Sequence, residues 1–206
     1  MENNYLNKFL TAIFAGIAIS IGGLAFLTMG NIIGPVLFTF GLITVVHYKL
    51  ALYTGTVGFI ELIGFNKEIF SNWKIILTII LGNIIGCFIV ALLASYGNFT
   101  FSILANDVVI SRLSQPIISV IIRAIGCGLI MSAAVQFARE GKFLPLLFGV
   151  PLFIYCGFYH SIADTFYYCF STIKPTLQML LTLVLTYFGN YLGCSVYKLF
   201  IRDRGN

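Results

Sequence analysis

Gly157-Phe158-Tyr159-His160-Ser161-Ile162-Ala163-Asp164-Thr165 stands in the middle of an apolar run long enough to cross a bilayer. Lipid offers no partner to a charged or hydrogen-bonding side chain, so His160 and Asp164 must face protein or an aqueous cavity. The stretch reads as a point where a helix stops and restarts. His160 is therefore the leading candidate for a point of passage through a membrane. Asp164, four residues on, is a candidate cap for the second helical piece.

The whole chain fits that setting. Apolar residues make up 59% of its 206 positions and charged residues 9%, and the mean hydropathy is +0.99. Soluble domains carry about 25% charged residues. No polar stretch is long enough to fold a soluble domain, so the net charge of +5 is not a footprint for nucleic acid. Cys87, Cys127, Cys156, Cys169 and Cys194 fall inside apolar segments without metal-ligand spacing or a disulfide framework, and read as small packing residues. No cofactor or metal motif is present in the sequence, and none is expected. The opening Met1-Glu2-Asn3-Asn4-Tyr5 precedes no small-residue cleavage site, so the first apolar segment reads as a permanent span rather than a signal peptide.

A bilayer core needs about 20 apolar residues per helix. That predicts an all-α membrane protein with six spans, near 8–29, 32–64, 74–97, 117–138, 143–172 and 175–200, as a single domain over 1–206. The second and fifth are too long and too interrupted for simple helices. With the N-terminus in the cytoplasm, eight basic residues fall inside (Lys8, Lys67, Lys74, Arg139, Lys142, Lys198, Arg202, Arg204) and two outside (Arg112, Lys174). Lys49 and Arg123 remain within the membrane or at its edge.

The two halves, about 8–97 and 117–200, repeat. Gly82-Asn83 followed by Gly86-Cys87 has the spacing of Gly189-Asn190 followed by Gly193-Cys194. Tyr48-Lys49 with Thr54 lines up with Tyr159-His160 with Thr165, which sets Lys49 opposite His160. Three spans per half predict a 3+3 inverted repeat, and paired interrupted helices in such a repeat point to a transport site. Asn83 and Asn190 are expected to bond carbonyls freed where the interrupted helices stop. The glycines around them are spaced for close helix contact.

These residues resemble the formate/nitrite transporter family. Gly157-Phe158-Tyr159-His160-Ser161-Ile162-Ala163-Asp164 is similar to its G-F-E-H-S-I-A-N signature. Leu52-Tyr53-Thr54-Gly55-Thr56 is similar to its L-F-T-G-N loop. Gly82-Asn83 and Gly189-Asn190 match its GN motifs, and Ala15-Gly16 through Gly22-Gly23 its first-span glycine pattern. The resemblance runs from about Phe9 to Phe200. It implies an aquaporin-like protomer with broken second and fifth helices, a homopentamer with one pore per protomer, and a bacterial inner-membrane location. It also implies small monovalent weak-acid anions as cargo: formate first, then nitrite or hydrosulfide. By the same resemblance Phe38 and Phe153 form an outer constriction, Leu42, Leu52 and Tyr53 an inner one, and His160 and Thr54 the pair between them. The chain departs from the family at Tyr159 and Ala51, where it has acids, at Lys49, where it has glycine, at Asp164, where it has asparagine, and at Gly128, which stands for a fourth-span asparagine.

A dehydrated segment between apolar constrictions costs a bare anion several kcal/mol. An imidazole there, giving a proton or a strong hydrogen bond, offsets that cost. Lys49 reads either as a fixed charge drawing anions in or as a snorkelling lysine paired with Glu61 or a carbonyl. His47 reads as a packing histidine, and Arg123 as an anion attractor or an interfacial anchor. Three other classes stay open at this level. A neutral-solute pore is disfavoured, because no Asn-Pro pair occurs in the chain. A membrane enzyme lacks an accompanying nucleophile. A non-transporting membrane subunit is kept open by the departures at Lys49 and Ala51.

Overall fold

The computed structural model describes residues 2–57, 67–97 and 100–201. Among these residues the chain is helical, without strands. The elements are α1 (Glu2–Met29), α2 (Ile33–His47), α3 (Tyr53–Val57), α4 (Lys67–Gly97), α5 (Thr100–Leu113), α6 (Ile117–Arg139), α7 (Leu144–Tyr155), α8 (Ser161–Phe170) and α9 (Leu177–Ile201). Among the described residues, four helices are long and apolar enough to cross a membrane: Tyr5–Met29, Trp73–Gly97, Ile117–Arg139 and Leu177–Tyr197. Ile33–His47 and Leu144–Tyr155 are shorter and apolar.

The described residues of the range 32–64 carry α2 and α3, and those of the range 143–172 carry α7 and α8. Glu61 lies outside the described residues. Helix α5 falls in a stretch the sequence reading left outside every span. Its buried Ser102, Ala105 and Val109 follow helical spacing, but the segment is too short and too polar to register as a span.

The largest contacts join α1 to α4 and α6 to α9. Helices in lipid gain little hydrophobic attraction for each other, so close van der Waals contact must hold them. Glycine permits it at both crossings. A methyl group at Gly86 would collide with the Ile13 carbonyl oxygen, and one at Gly193 with that of Ile125. The outward faces carry large exposed apolar side chains such as Phe14, Leu93, Ile118 and Phe148, a surface suited to lipid or to another subunit.

Helices α2 and α7 end alike. Lys49 N–H bonds the Val46 carbonyl at 3.2 Å and Leu50 N–H that of Val45 at 2.9 Å. Gly157 N–H bonds Ile154 at 3.0 Å and Phe158 N–H bonds Phe153 at 2.9 Å. Both are Schellman ends, which place one residue in the left-handed region. Those residues are Lys49 at φ 53° and Gly157 at φ 66°. Lys49 therefore corresponds to Gly157, and Leu52 to His160. This corrects the register read from the Tyr-Lys and Tyr-His pairs. Helix-end geometry sets the alignment, and a matching tyrosine is too weak a mark to find it.

One asparagine then holds each loop to the helix beside it. Asn83 Nδ2 donates to the Ala51 carbonyl (3.0 Å) and the Ala12 carbonyl (2.8 Å), and its Oδ1 accepts from Tyr53 N–H (3.0 Å). Asn190 does the same for the Tyr159 and Ala124 carbonyls (both 2.8 Å) and for Ser161 N–H (2.8 Å). Both asparagines are fully buried. Non-helical backbone buried away from water survives only with such partners.

The cysteines beside them reach across the molecule. The Cys87 thiol on α4 lies 3.4 Å from the Ile162 carbonyl of α8, and the Cys194 thiol on α9 lies 3.4 Å from the Thr54 carbonyl of α3. Each thiol donates to the short helix of the opposite half. The sequence reading of these two as packing residues misses that role.

Candidate functional site

Two cavities with no lining residue in common approach the loops between paired helices. The first, about 290 Å³, is lined by Phe153, His160, Asp164, Tyr167, Arg112 and Asp107, among others. The second, about 680 Å³, is lined by Lys8, His47, Lys49, Leu52, Arg139 and Phe143, among others. Phe38, Leu42 and Thr54 are buried and line neither. Phe38 meets Phe153 edge-on at 6.0 Å, Leu42 lies one helical turn further along α2, and Thr54 bonds His160.

His160 is the N-cap of α8, in an extended conformation. Its Nδ1 accepts from Ala163 N–H at 3.3 Å, and its Nε2 lies 3.1 Å from Thr54 Oγ1. A nitrogen that accepts from a backbone N–H carries no proton of its own, so Nδ1 is the bare nitrogen and Nε2–H donates to Thr54. The ring also packs against Phe153, with centroids 5.9 Å apart. It is 1% exposed, with its open side on the first cavity. The capping of α8 thus fixes both the position of the imidazole and the nitrogen that carries its proton.

Asp164 is not the cap the sequence suggested, because His160 already fills that place. The Asp164 carboxylate instead takes Arg112 of α5, with Oδ1 3.2 Å from Nε. A carboxylate buried this deeply needs a cation nearby. The buried acid is itself the sequence signal that calls for a cation such as Arg112. The Arg112 guanidinium also sits 4.0 Å from the centre of the Tyr159 ring.

Other candidates are placed as follows. Leu52 is buried at the edge of the second cavity. Tyr53 lines neither cavity. Its ring faces Tyr187, with centroids 4.9 Å apart, and its hydroxyl donates to the Tyr187 carbonyl at 3.0 Å. Lys49 is exposed on the second cavity together with Lys8 and Arg139. Arg139, which sequence reasoning counted only for topology, donates from Nη2 to the Gly55 carbonyl at 2.9 Å. Arg123 lines neither cavity. It donates from Nη1 to the Gly157 carbonyl at 3.0 Å and from Nε to Ser119 Oγ at 3.1 Å. Among the described residues no group of three or more His, Cys, Asp or Glu side chains has the arrangement to hold a metal.

A model of the formate/nitrite transporter family matches residues 1–202. The chain belongs to that family. It is therefore an integral, multi-pass membrane transport protein and not an enzyme. The family member is 28% identical over 181 residues to the nitrite transporter NirC of Salmonella typhimurium, covering 79% of this chain and 67% of that protein. It is 27% identical over 190 residues to the transporter YrhG of Bacillus subtilis, covering 82% and 70%. Its fold is similar to that of a solved pentameric formate channel with formate bound, with a TM-score of 0.86 at 18% identity over 99% of this chain and 98% of that one. It is also similar to an FNT family ion channel, with a TM-score of 0.85 at 22% identity over 100% and 92%. At those identities the two structures speak for the fold alone.

Proposed function

We propose that the chain is a channel or proton-coupled transporter for small monovalent weak-acid anions, formate first, then nitrite or hydrosulfide. In this reading α2 with α3 and α7 with α8 are broken spans, and the chain is a six-span 3+3 inverted repeat, aquaporin-like, in a bacterial inner membrane. Five copies assemble, each with its own path. The cavity holding Lys8, Lys49 and Arg139 opens to the cytoplasm, and the Arg112 cavity opens outside.

The observation that carries the reading is the His160–Thr54 hydrogen bond of 3.1 Å, buried beside the first cavity. Phe38 and Phe153 form the outer barrier. Leu42 and Leu52 form the inner one, with Tyr53 of α3 backing it against Tyr187 of α9. A bare anion between them loses its hydration at a cost of several kcal/mol. Falling polarity along the path favours the protonated acid over the anion. A proton from the solution on the entry side, relayed through water in the cavity, adds to the anion, and the neutral acid crosses. The Thr54 hydroxyl accepts from His160 Nε2–H and turns its own proton to the acid, a hydrogen bond that replaces lost water. Lys49 raises the anion concentration at the inner mouth. Asn83 and Asn190 hold the loops in place, and Asp164 holds Arg112.

Purified protein in liposomes, offered formate, nitrite, hydrosulfide, acetate and urea, tests this. Uptake of the small anions, faster with acid outside, and urea at the level of empty liposomes is the expected result. H160F is expected to remove both the uptake and its pH dependence. Urea uptake would instead indicate a neutral-solute pore, and silence toward all five a non-transporting subunit.

A further inference from the structure

Arg112 has an unspent face. Its Nε is committed to Asp164 at 3.2 Å, and its plane lies against the Tyr159 ring, 4.0 Å from the ring centre. Nothing among the described residues accepts a hydrogen bond from its Nη1 or Nη2. The side chain is 17% accessible and lines the same cavity as His160. Two parallel N–H groups on a rigid planar fork are thus free at the approach to the imidazole. The ring contact and the Nε bond hold that fork in one orientation.

We propose that the Nη edge of Arg112 is a docking site for a planar oxyanion, a carboxylate or nitrite, on its way to His160. This rests on the transport reading and names the selective element within it. Two oxygens on one central atom match the two parallel N–H groups, and such paired contacts are stronger and more directional than a point charge. Hydrosulfide, with a single acceptor centre, cannot use the fork. The charged groups facing the site temper it. Asp164 Oδ2 is buried without a hydrogen-bond partner, and Asp107 lines the same cavity. Both carboxylates repel an arriving anion, so it docks without becoming trapped, as conduction requires. Asp164 therefore sets both the direction of the fork and the looseness of its grip.

The test compares wild type, R112K and D164N in liposomes with formate, nitrite and hydrosulfide. Lysine keeps the charge and loses the fork. R112K is expected to lower formate and nitrite uptake about tenfold relative to hydrosulfide, the scale of one paired contact. An unchanged formate-to-hydrosulfide ratio overturns the docking role. D164N, whose amide oxygen still accepts from Nε while the competing charge is gone, is expected to lower the half-saturating concentration of formate more than that of hydrosulfide. No change, or a rise, for formate also overturns it, and this arm stands if R112K fails to assemble. Wild type passing none of the three anions defeats the transport reading instead. Docking is then read from line broadening of ¹³C-formate by solubilised protein: broadening that R112K abolishes supports the site, and its absence in wild type overturns it.

Discussion

At the scale of single residues, the proton on His160 is located by a helix cap. Ala163 N–H occupies Nδ1, so Nε2–H can only point toward Thr54. T54V takes away the acceptor and leaves that N–H without a partner in an apolar pocket, while T54S restores it. Anion uptake is expected to drop about tenfold or more in T54V and to recover in T54S, the scale of a lost buried hydrogen bond. Equal uptake by the two variants would remove Thr54 from the mechanism. Lys49 poses a different trade. It holds a left-handed backbone that costs a non-glycine residue about 1 kcal/mol, at a position whose counterpart is Gly157. K49G should raise the thermal midpoint of the detergent-solubilised protein while lowering anion uptake, because it relieves the backbone and removes a cavity charge. A variant that is more stable and equally active would show that the charge is idle.

At the scale of elements, each loop depends on one asparagine. N190A leaves the Tyr159 carbonyl and the Ser161 N–H without their buried partner, a loss of about 3 kcal/mol. The expected readout is a fall of several degrees in the thermal midpoint, with N83A behaving alike through Ala51 and Tyr53. Much of this was legible in the sequence. The GN motifs, the interruption at His160 and the long apolar runs are local signals, and the structure carries helix ends and asparagine bonds at those places. What was not legible depends on contacts between distant segments. Helix α5 is short and mixed in polarity, so only its partner Asp164 gives it meaning. The repeat register is set by backbone geometry at Lys49 and Gly157, which no side-chain match reports. The thiol bonds of Cys87 and Cys194 join residues that nothing in the one-dimensional pattern pairs.

At the scale of the whole molecule, apolar faces surround a buried imidazole that borders a cavity. In the proposed mechanism cargo crosses as the neutral acid, so uptake should follow the availability of protons on the entry side. Formate uptake is expected to rise as external pH falls. Nitrate, a planar anion of a strong acid, is expected to stay low across the same range. Nitrate flux rising in parallel would mean that the charged form crosses and that neutralisation plays no part.

The thiols of Cys87 and Cys194 have a consequence for biosynthesis. Each seats the short helix that belongs to the other half. Residues of the first half lack the groups that complete them until the second half is made, and the second half needs the first in turn. Neither fragment should mature by itself, whereas the two made together from separate messages should find each other and yield protease-resistant protein.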